Sequence, residues 1–175
     1  MKTHDQQWSE GGEMEQEGAG ERSSGRRWLW SVLKVAVVVV AAAAVVRIWL
    51  APTPDVFAHG PSTLDEAIAL STRSGKPVVA VATSDFCAPC QYYKRHGLAD
   101  PQVQAWIREH AVPFFVRIEW DVNDAKRLGR ENGPVPATML LAGGEIVDQF
   151  NGPADGPALL RWLEDRVASL DAAQP

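Results

Sequence analysis

A long and mostly apolar segment, residues 28–50, constrains this 175-residue chain more than any other feature. As a helix, such a segment is long enough to cross about 30 Å of hydrocarbon. Its two charges, Lys34 and Arg47, lie close enough to the ends for their side chains to reach the interface. Tryptophans mark both ends, as interfacial aromatics commonly do: Trp28, Trp30 and Trp49. We therefore predict a transmembrane signal anchor over residues 28–50, with the membrane as a partner.

Two alternatives to an anchor remain open for this segment. A buried helix of a soluble protein fits poorly, because the segment is apolar on every side. A cleaved signal peptide is the other, with residues 56–58 (Val-Phe-Ala) as a small-residue cleavage site. The polar region before the segment is unusually long for a signal peptide, which favours the anchor.

The distribution of basic residues predicts the orientation of the span. Four basic residues precede it or lie at its start: Arg22, Arg26, Arg27 and Lys34. After Arg47 the next basic residue is Arg73. The positive-inside rule then places the N-terminus in the cytoplasm and residues 51–175 in the periplasm or cell exterior. We expect a single-pass protein of the cytoplasmic (inner) membrane.

The remaining segments differ in composition. Residues 1–27 are rich in Gly, Glu, Gln and Ser, which predicts a disordered cytoplasmic tail. Residues 51–61 contain three prolines and a glycine, which predicts a linker. Residues 62–171 should form the folded domain.

The hydrophobic pattern of residues 62–171 predicts an α/β fold. A helix should start with Ser62 as its N-cap, and residues 77–83 form an apolar run typical of a buried central strand. Further patterns give the order α-β-α-α-β-α-β-β-α, with Gly143-Gly144 as a hairpin turn near the end. This order predicts a sheet with helices on both faces and a terminal hairpin.

Charge and cysteine content exclude several functions. The net charge is −5, from 17 basic and 22 acidic residues, so we expect no nucleic-acid partner. The two cysteines, Cys87 and Cys90, are too few for a multi-disulfide framework or a four-cysteine zinc site.

The motif Cys87-Ala88-Pro89-Cys90 follows the predicted buried strand and opens a helix. Backbone N–H groups at a helix N-terminus stabilise an anion, and they would favour the thiolate of Cys87. The spacing brings the second sulfur close enough to resolve a mixed disulfide. Such a motif also binds metals, but that use needs further ligands, and the histidines are scattered.

Several motifs together resemble a thioredoxin-fold domain, with a central mixed sheet flanked by helices. In particular, residues 62–171 resemble the C-terminal thioredoxin-like domain of DsbD-type thiol:disulfide interchange proteins. The segments that carry the resemblance are 74–79 (Ser-Gly-Lys-Pro-Val-Val), 84–90 (Ser-Asp-Phe-Cys-Ala-Pro-Cys), 100–103 (Asp-Pro-Gln-Val), 121–124 (Asp-Val-Asn-Asp) and 135–138 (Val-Pro-Ala-Thr).

The resemblance implies roles for five residues. Cys87 would be the exposed nucleophile and Cys90 the buried resolving thiol. Pro136 would be the cis-proline beside the disulfide, with Val135 offering its backbone to an extended substrate. Phe86 stands where the family usually has tryptophan, and it would flank the substrate. The resemblance implies neither a cofactor nor a metal.

The chain also departs from the family pattern. Val81 occupies the position at which thioredoxins commonly bury an acid, and Asp85 is the candidate substitute, although we expect it near solvent. Arg117 stands where the family often places a lysine beside that acid, so we expect it to find an acidic partner or water. The dipeptide Ala88-Pro89 resembles the Gly-Pro of reducing thioredoxins more than the histidine-containing pair of strong oxidants.

These observations predict a membrane-anchored, extracytoplasmic thiol–disulfide oxidoreductase that reduces protein disulfides through Cys87 and Cys90. Because the membrane span contains no cysteine, the enzyme would need a separate electron donor. Two alternatives stay open. One is a metal (copper) handling module that uses both cysteines, and the other is a non-catalytic thioredoxin-fold interaction protein.

Overall fold

The computed structural model describes residues 21–173, in two compact units divided between Val46 and Arg47. Helix α1 spans Glu21–Trp49, and its stretch Trp28–Trp49 is long and apolar enough to cross a membrane. Residues 21–27 are therefore helical, contrary to the prediction of a disordered tail through residue 27. Residues 1–20 of that predicted tail lie outside the described part of the chain.

A four-stranded mixed sheet forms the centre of the second unit, in the order β2-β1-β3-β4. Strand β1 (Val78–Thr83) pairs parallel with β2 (Val112–Arg117) and antiparallel with β3 (Ala137–Ala142). Strand β4 (Glu145–Asn151) pairs antiparallel with β3 and completes the predicted hairpin. Every residue of β1 is buried, as expected for a central strand with both faces covered.

Helices cover both faces of the sheet, and each face has its own apolar cluster. One cluster includes Val79 and Val81 of β1, and the other includes Val78 and Ala80, since successive side chains of a strand point to opposite faces. The helices are α2 (Asp55–Ala58), α3 (Leu64–Ser74), α4 (Ala88–Tyr93) with a π-helical continuation (Lys94–Leu98), α5 (Pro101–His110), α6 (Val122–Arg127) and α7 (Gly156–Ala173). From α3 onward, the element order is the predicted one.

The cap of α3 lies one residue later than predicted. Thr63, not Ser62, is the N-cap, and its hydroxyl accepts a hydrogen bond from the backbone N–H of Glu66. Ser62 instead donates its backbone N–H and its hydroxyl to the Glu66 carboxylate, and these bonds hold the pKa of Glu66 below its ordinary value. The two residues together satisfy the helix start.

The segment 51–61 is not a linker, because part of it packs into the domain. It contains helix α2, whose Val56 and Phe57 are buried in the apolar core. The rings of Phe57 and Phe115 lie 5.8 Å apart between centroids. The backbone N–H of Ala51 also donates to the side-chain oxygen of Gln91 at 2.6 Å. The compact unit therefore includes residues before the predicted start at residue 62.

Candidate active site around Cys87 and Cys90

The two cysteines lie where β1 gives way to α4. Strand β1 ends at Thr83, a short loop follows, and Cys87 is the N-cap of α4. Pro89 sits in the first turn of that helix, where its missing N–H costs no hydrogen bond. Cys87 and Cys90 form a disulfide, with their Cα atoms 5.2 Å apart. The sequence motif thus occupies the strand–loop–helix position that was predicted for it.

The two sulfurs differ in accessibility. Cys87 is partly exposed, whereas Cys90 is fully buried. The backbone N–H of Cys90 donates to Sγ of Cys87 at 3.2 Å. In the reduced state, that N–H and the start of α4 would stabilise negative charge on Cys87 rather than on Cys90. The arrangement gives one accessible sulfur suited to attack and one protected sulfur behind it.

The loop before β3 lies against this disulfide. Because β1 and β3 are antiparallel, the start of β3 meets the end of β1 at one edge of the sheet. Sγ of Cys87 is 3.7 Å from the carbonyl oxygen of Val135, and the Val135–Pro136 peptide bond is cis. The structure therefore brings together four of the five residues predicted for the site. The fifth, Phe86, adjoins Cys87 in sequence, and its side chain is 78% exposed.

A buried cation, Arg130, holds the same loop from behind, and the sequence analysis missed it. Arg130 is only 5% exposed, and its Nη1 donates to the carbonyl oxygen of Pro134 at 3.5 Å and to Oδ1 of Asn151 at 2.8 Å. Its Nη2 donates to the side-chain oxygen of Gln149. These acceptors are all neutral, and burial lowers the pKa of Arg130. In the sequence, the one hint that Arg130 belongs near the site was its position six residues before Pro136.

Asp85 is not simply a solvent-facing loop residue, because its carboxylate pairs with a buried lysine. Nζ of Lys94 lies 3.0 Å from Oδ1 of Asp85, and the Lys94 side chain is only 2% exposed. The backbone of Asp85 is fixed as well: its N–H donates to Oε1 of Glu119 at 3.1 Å, and its carbonyl accepts from Nε2 of Gln91 at 2.8 Å. Ser84 adds a hydroxyl hydrogen bond to Glu119.

Neither Val81 nor Arg117 places a buried charge at the site. Val81 is fully buried and supplies no acid, as its identity requires. Arg117 does not carry a buried charge, because its side chain is exposed. Its backbone N–H donates to Oδ2 of the nearby Asp121 at 2.8 Å.

The aromatic residues near the motif divide between core and surface. Tyr93 is fully buried, and its hydroxyl shares a 2.6 Å hydrogen bond with that of Thr138. Burial raises the pKa of Tyr93. Tyr92 is exposed, whereas Phe57 belongs to the core rather than to the rim of the site. Within residues 21–173, no three His, Cys, Asp or Glu side chains cluster in a way that would hold a metal ion.

The fold and the cysteine pair define a class of protein. Residues 60–143 match the thioredoxin-like family, and the mixed sheet with flanking helices is the thioredoxin fold. The matched residues therefore form a thioredoxin-like domain.

One relative and two solved structures are similar to parts of this chain. The chain is 36% identical over 91 residues to the thiol:disulfide interchange protein DsbD 1 of Pseudomonas aeruginosa. That match covers 48% of this chain but only 14% of the much longer relative. A thioredoxin from Thermus thermophilus aligns over 59% of this chain and 82% of its own, with a TM-score of 0.51 and 22% identity. A structure described as DsbH oxidoreductase aligns over 67% and 90%, with a TM-score of 0.54 and 15% identity. At these identities, the two structures establish the fold alone.

Proposed function

We propose that this chain is a membrane-anchored thiol–disulfide oxidoreductase that reduces protein disulfides outside the cytoplasm. One observation carries the proposal: an accessible Cys87 and a buried Cys90 form a disulfide at the N-terminus of α4, beside the Val135–Pro136 loop. Similarity to part of a thiol:disulfide interchange protein supports it. Within the described residues, nothing adds a third ligand for the metal-handling alternative.

The reaction follows from the different environments of the two sulfurs. In the dithiol form, the Cys87 thiolate attacks one sulfur of a substrate disulfide, and the other substrate sulfur leaves as a thiolate that takes up a proton. Cys90 then loses its proton and attacks Sγ of Cys87 in the mixed disulfide. This step releases the second substrate thiol and forms the Cys87–Cys90 disulfide. Two electrons pass to the substrate, and a separate donor must return them.

Substrate positioning is assigned to the residues around Cys87. The carbonyl oxygen of Val135 lies 3.7 Å from Sγ of Cys87 and would accept a backbone N–H from an extended polypeptide. Pro136 follows as the cis residue of that loop. Phe86 exposes most of its ring and would pack against apolar side chains flanking the substrate cysteine.

Membrane attachment and compartment belong to the same proposal. Helix α1 contains a membrane-length apolar stretch, and the basic residues before it favour a cytoplasmic N-terminus. The cysteine pair would then work in an oxidising compartment. We propose the span over residues 28–50, with residues 51–175 in the periplasm or cell exterior.

Trapping of the mixed disulfide tests the activity. In Cys90→Ser, the complex with substrate cannot be resolved, so we expect full-length protein to accumulate in reducible adducts with extracytoplasmic proteins. Cys87→Ser is the matched control, since it keeps one thiol but loses the accessible one. Equal adduct levels in both variants, or none in either, would refute the proposal.

The reduction potential tests the direction of electron flow. The Ala88-Pro89 pair places no imidazole between the cysteines, so we expect a value near about −270 mV, as in thioredoxin. Equilibration of the full chain with glutathione and mass analysis of the two cysteines would measure it. A value near about −120 mV would instead indicate an oxidant of substrate thiols.

A further inference from the structure

Lys94 is a buried cation that the proposed reaction leaves without a role. Its side chain is 2% exposed, and the carboxylate paired with it belongs to Asp85, two residues before the nucleophile. Lysine is rarely buried unless it is paired, because desolvation of an ammonium group is costly. The position of this pair beside the reactive disulfide therefore calls for an explanation.

The course of the Lys94 side chain brings its charge to the N-terminal end of α4. Lys94 follows Cys90 by four residues, about one helical turn, and helical side chains lean back toward the N-terminus. The 3.0 Å contact with Asp85 shows that the side chain runs in this direction, to the loop that precedes Cys87. Its Nζ also lies 5.7 Å from the ring centroid of Phe115, which replaces water with an apolar surface.

The charged groups around this point come from three elements. The π-helical continuation of α4 contributes Lys94, the loop after β1 contributes Asp85, and the chain after β2 contributes Glu119. Oε1 of Glu119 accepts from Asp85 and Ser84, and its Oε2 is buried without a partner among the described residues. Strand β1 adds only the neutral Val81 and Thr83.

We propose that Lys94 and Asp85 are positioning residues that set the thiolate content of Cys87 with opposite signs. The ammonium of Lys94 adds positive charge to the N-terminus of α4 and favours the thiolate. The carboxylate of Asp85 opposes the thiolate and holds the ammonium in place. A unit charge near a thiol, at an effective dielectric constant of about 20, changes such an equilibrium tenfold or more. This inference rests on the proposed function only in giving Cys87 the role of nucleophile.

Alkylation of the reduced full-length protein with iodoacetamide, followed across pH by mass spectrometry, reports the Cys87 thiolate. We expect Lys94→Met to lower the alkylation rate below the thiol pKa about tenfold, because Asp85 then opposes the thiolate alone. Asp85→Asn should raise that rate by a similar factor, and the double variant should return near the wild-type rate. Lys126→Met is the matched control, since it removes an exposed lysine from α6.

The sign of the change separates this role from a structural one. If the pair were merely structural, both single variants would change the alkylation rate in the same direction, because a loosened loop exposes both thiols. Changes of the same sign, or changes below about threefold in both variants, overturn the proposal. If Lys94→Met fails to fold, the pH profile of Asp85→Asn decides alone. We expect the midpoint of its alkylation rate to move to lower pH with the plateau at high pH unchanged, and an unchanged midpoint refutes the inference.

The outcome is independent of substrate trapping. Opposite changes in alkylation together with failed trapping in Cys90→Ser would refute the proposed function and leave this inference standing. Successful trapping in Cys90→Ser without opposite changes in alkylation would refute this inference and leave the proposed function standing.

Discussion

Phe57→Ala measures how far the segment before residue 62 belongs to the folded domain. Phe57 is 5% exposed and packs in the same apolar cluster as Val79, Tyr93 and Leu98. Replacement of a buried phenylalanine by alanine costs about 3–5 kcal/mol. Helix α2 has only four residues, so it can relax around the lost ring. We therefore expect the free energy of unfolding to fall by about 3 kcal/mol.

Urea unfolding of the full chain in detergent, followed by tryptophan fluorescence, measures this loss. With a urea dependence of about 1–3 kcal/mol per molar, the midpoint should fall by about 1–3 M. Phe86→Ala is the matched control: it removes the same side chain from a site where 78% of it is exposed, so we expect a change within about 0.5 kcal/mol. Equal losses in the two variants would show that residues 51–61 are a linker after all.

Two further substitutions test close packing and pH dependence. A Cβ on Gly97 would overlap the carbonyl oxygen of Ala154 and the ring of Tyr93, so Gly97→Ala should cost about 1–3 kcal/mol in urea unfolding, whereas His96→Ala at the exposed neighbouring position should cost little. Tyr93→Phe should cost about 1 kcal/mol at neutral pH, because Thr138 loses its hydrogen bond. Burial raises the pKa of Tyr93 in the folded state, so the stability that its protonated phenol contributes is complete below about pH 10 and is lost as pH rises further. The difference between wild type and Tyr93→Phe should therefore shrink in alkaline urea titrations, and a constant difference would contradict this assignment.

The sheet was predictable from sequence because its signals are local. The run Val78–Ala82 is apolar at every position, which is typical of a strand covered on both faces, and Gly143-Gly144 marks the hairpin. Helix α2 was missed for the opposite reason. A helix of four residues has too short a pattern to be indicated by sequence, and Phe57 packs against Phe115, 58 positions away in the chain.

In the site, too, features with local sequence signals were predictable and contacts between distant residues were not. The position of Cys87 at the start of a helix follows from a strand, a short loop and a proline within a few residues. The pairing of Asp85 with Lys94 was not predictable, since both residue types usually face solvent and the sequence alone does not reveal burial. Arg130 is a similar case, because its side-chain acceptors lie on β4, about twenty residues later.

Lys94 and Arg130 are buried cations, and each binds one of the two loops beside the disulfide. Antiparallel pairing of Ala82 with Ala137 brings the loop after β1 and the loop before β3 together. The first loop is fixed by the buried ammonium of Lys94, and the second by the buried guanidinium of Arg130. Because an unpaired buried charge is costly, each cation favours the loop conformation that keeps its loop acceptor in place: the Asp85 carboxylate for Lys94 and the Pro134 carbonyl for Arg130. The cysteine motif therefore identifies the type of chemistry, whereas these distant contacts hold the two loops in place, and the Lys94–Asp85 pair tunes the ionisation of Cys87.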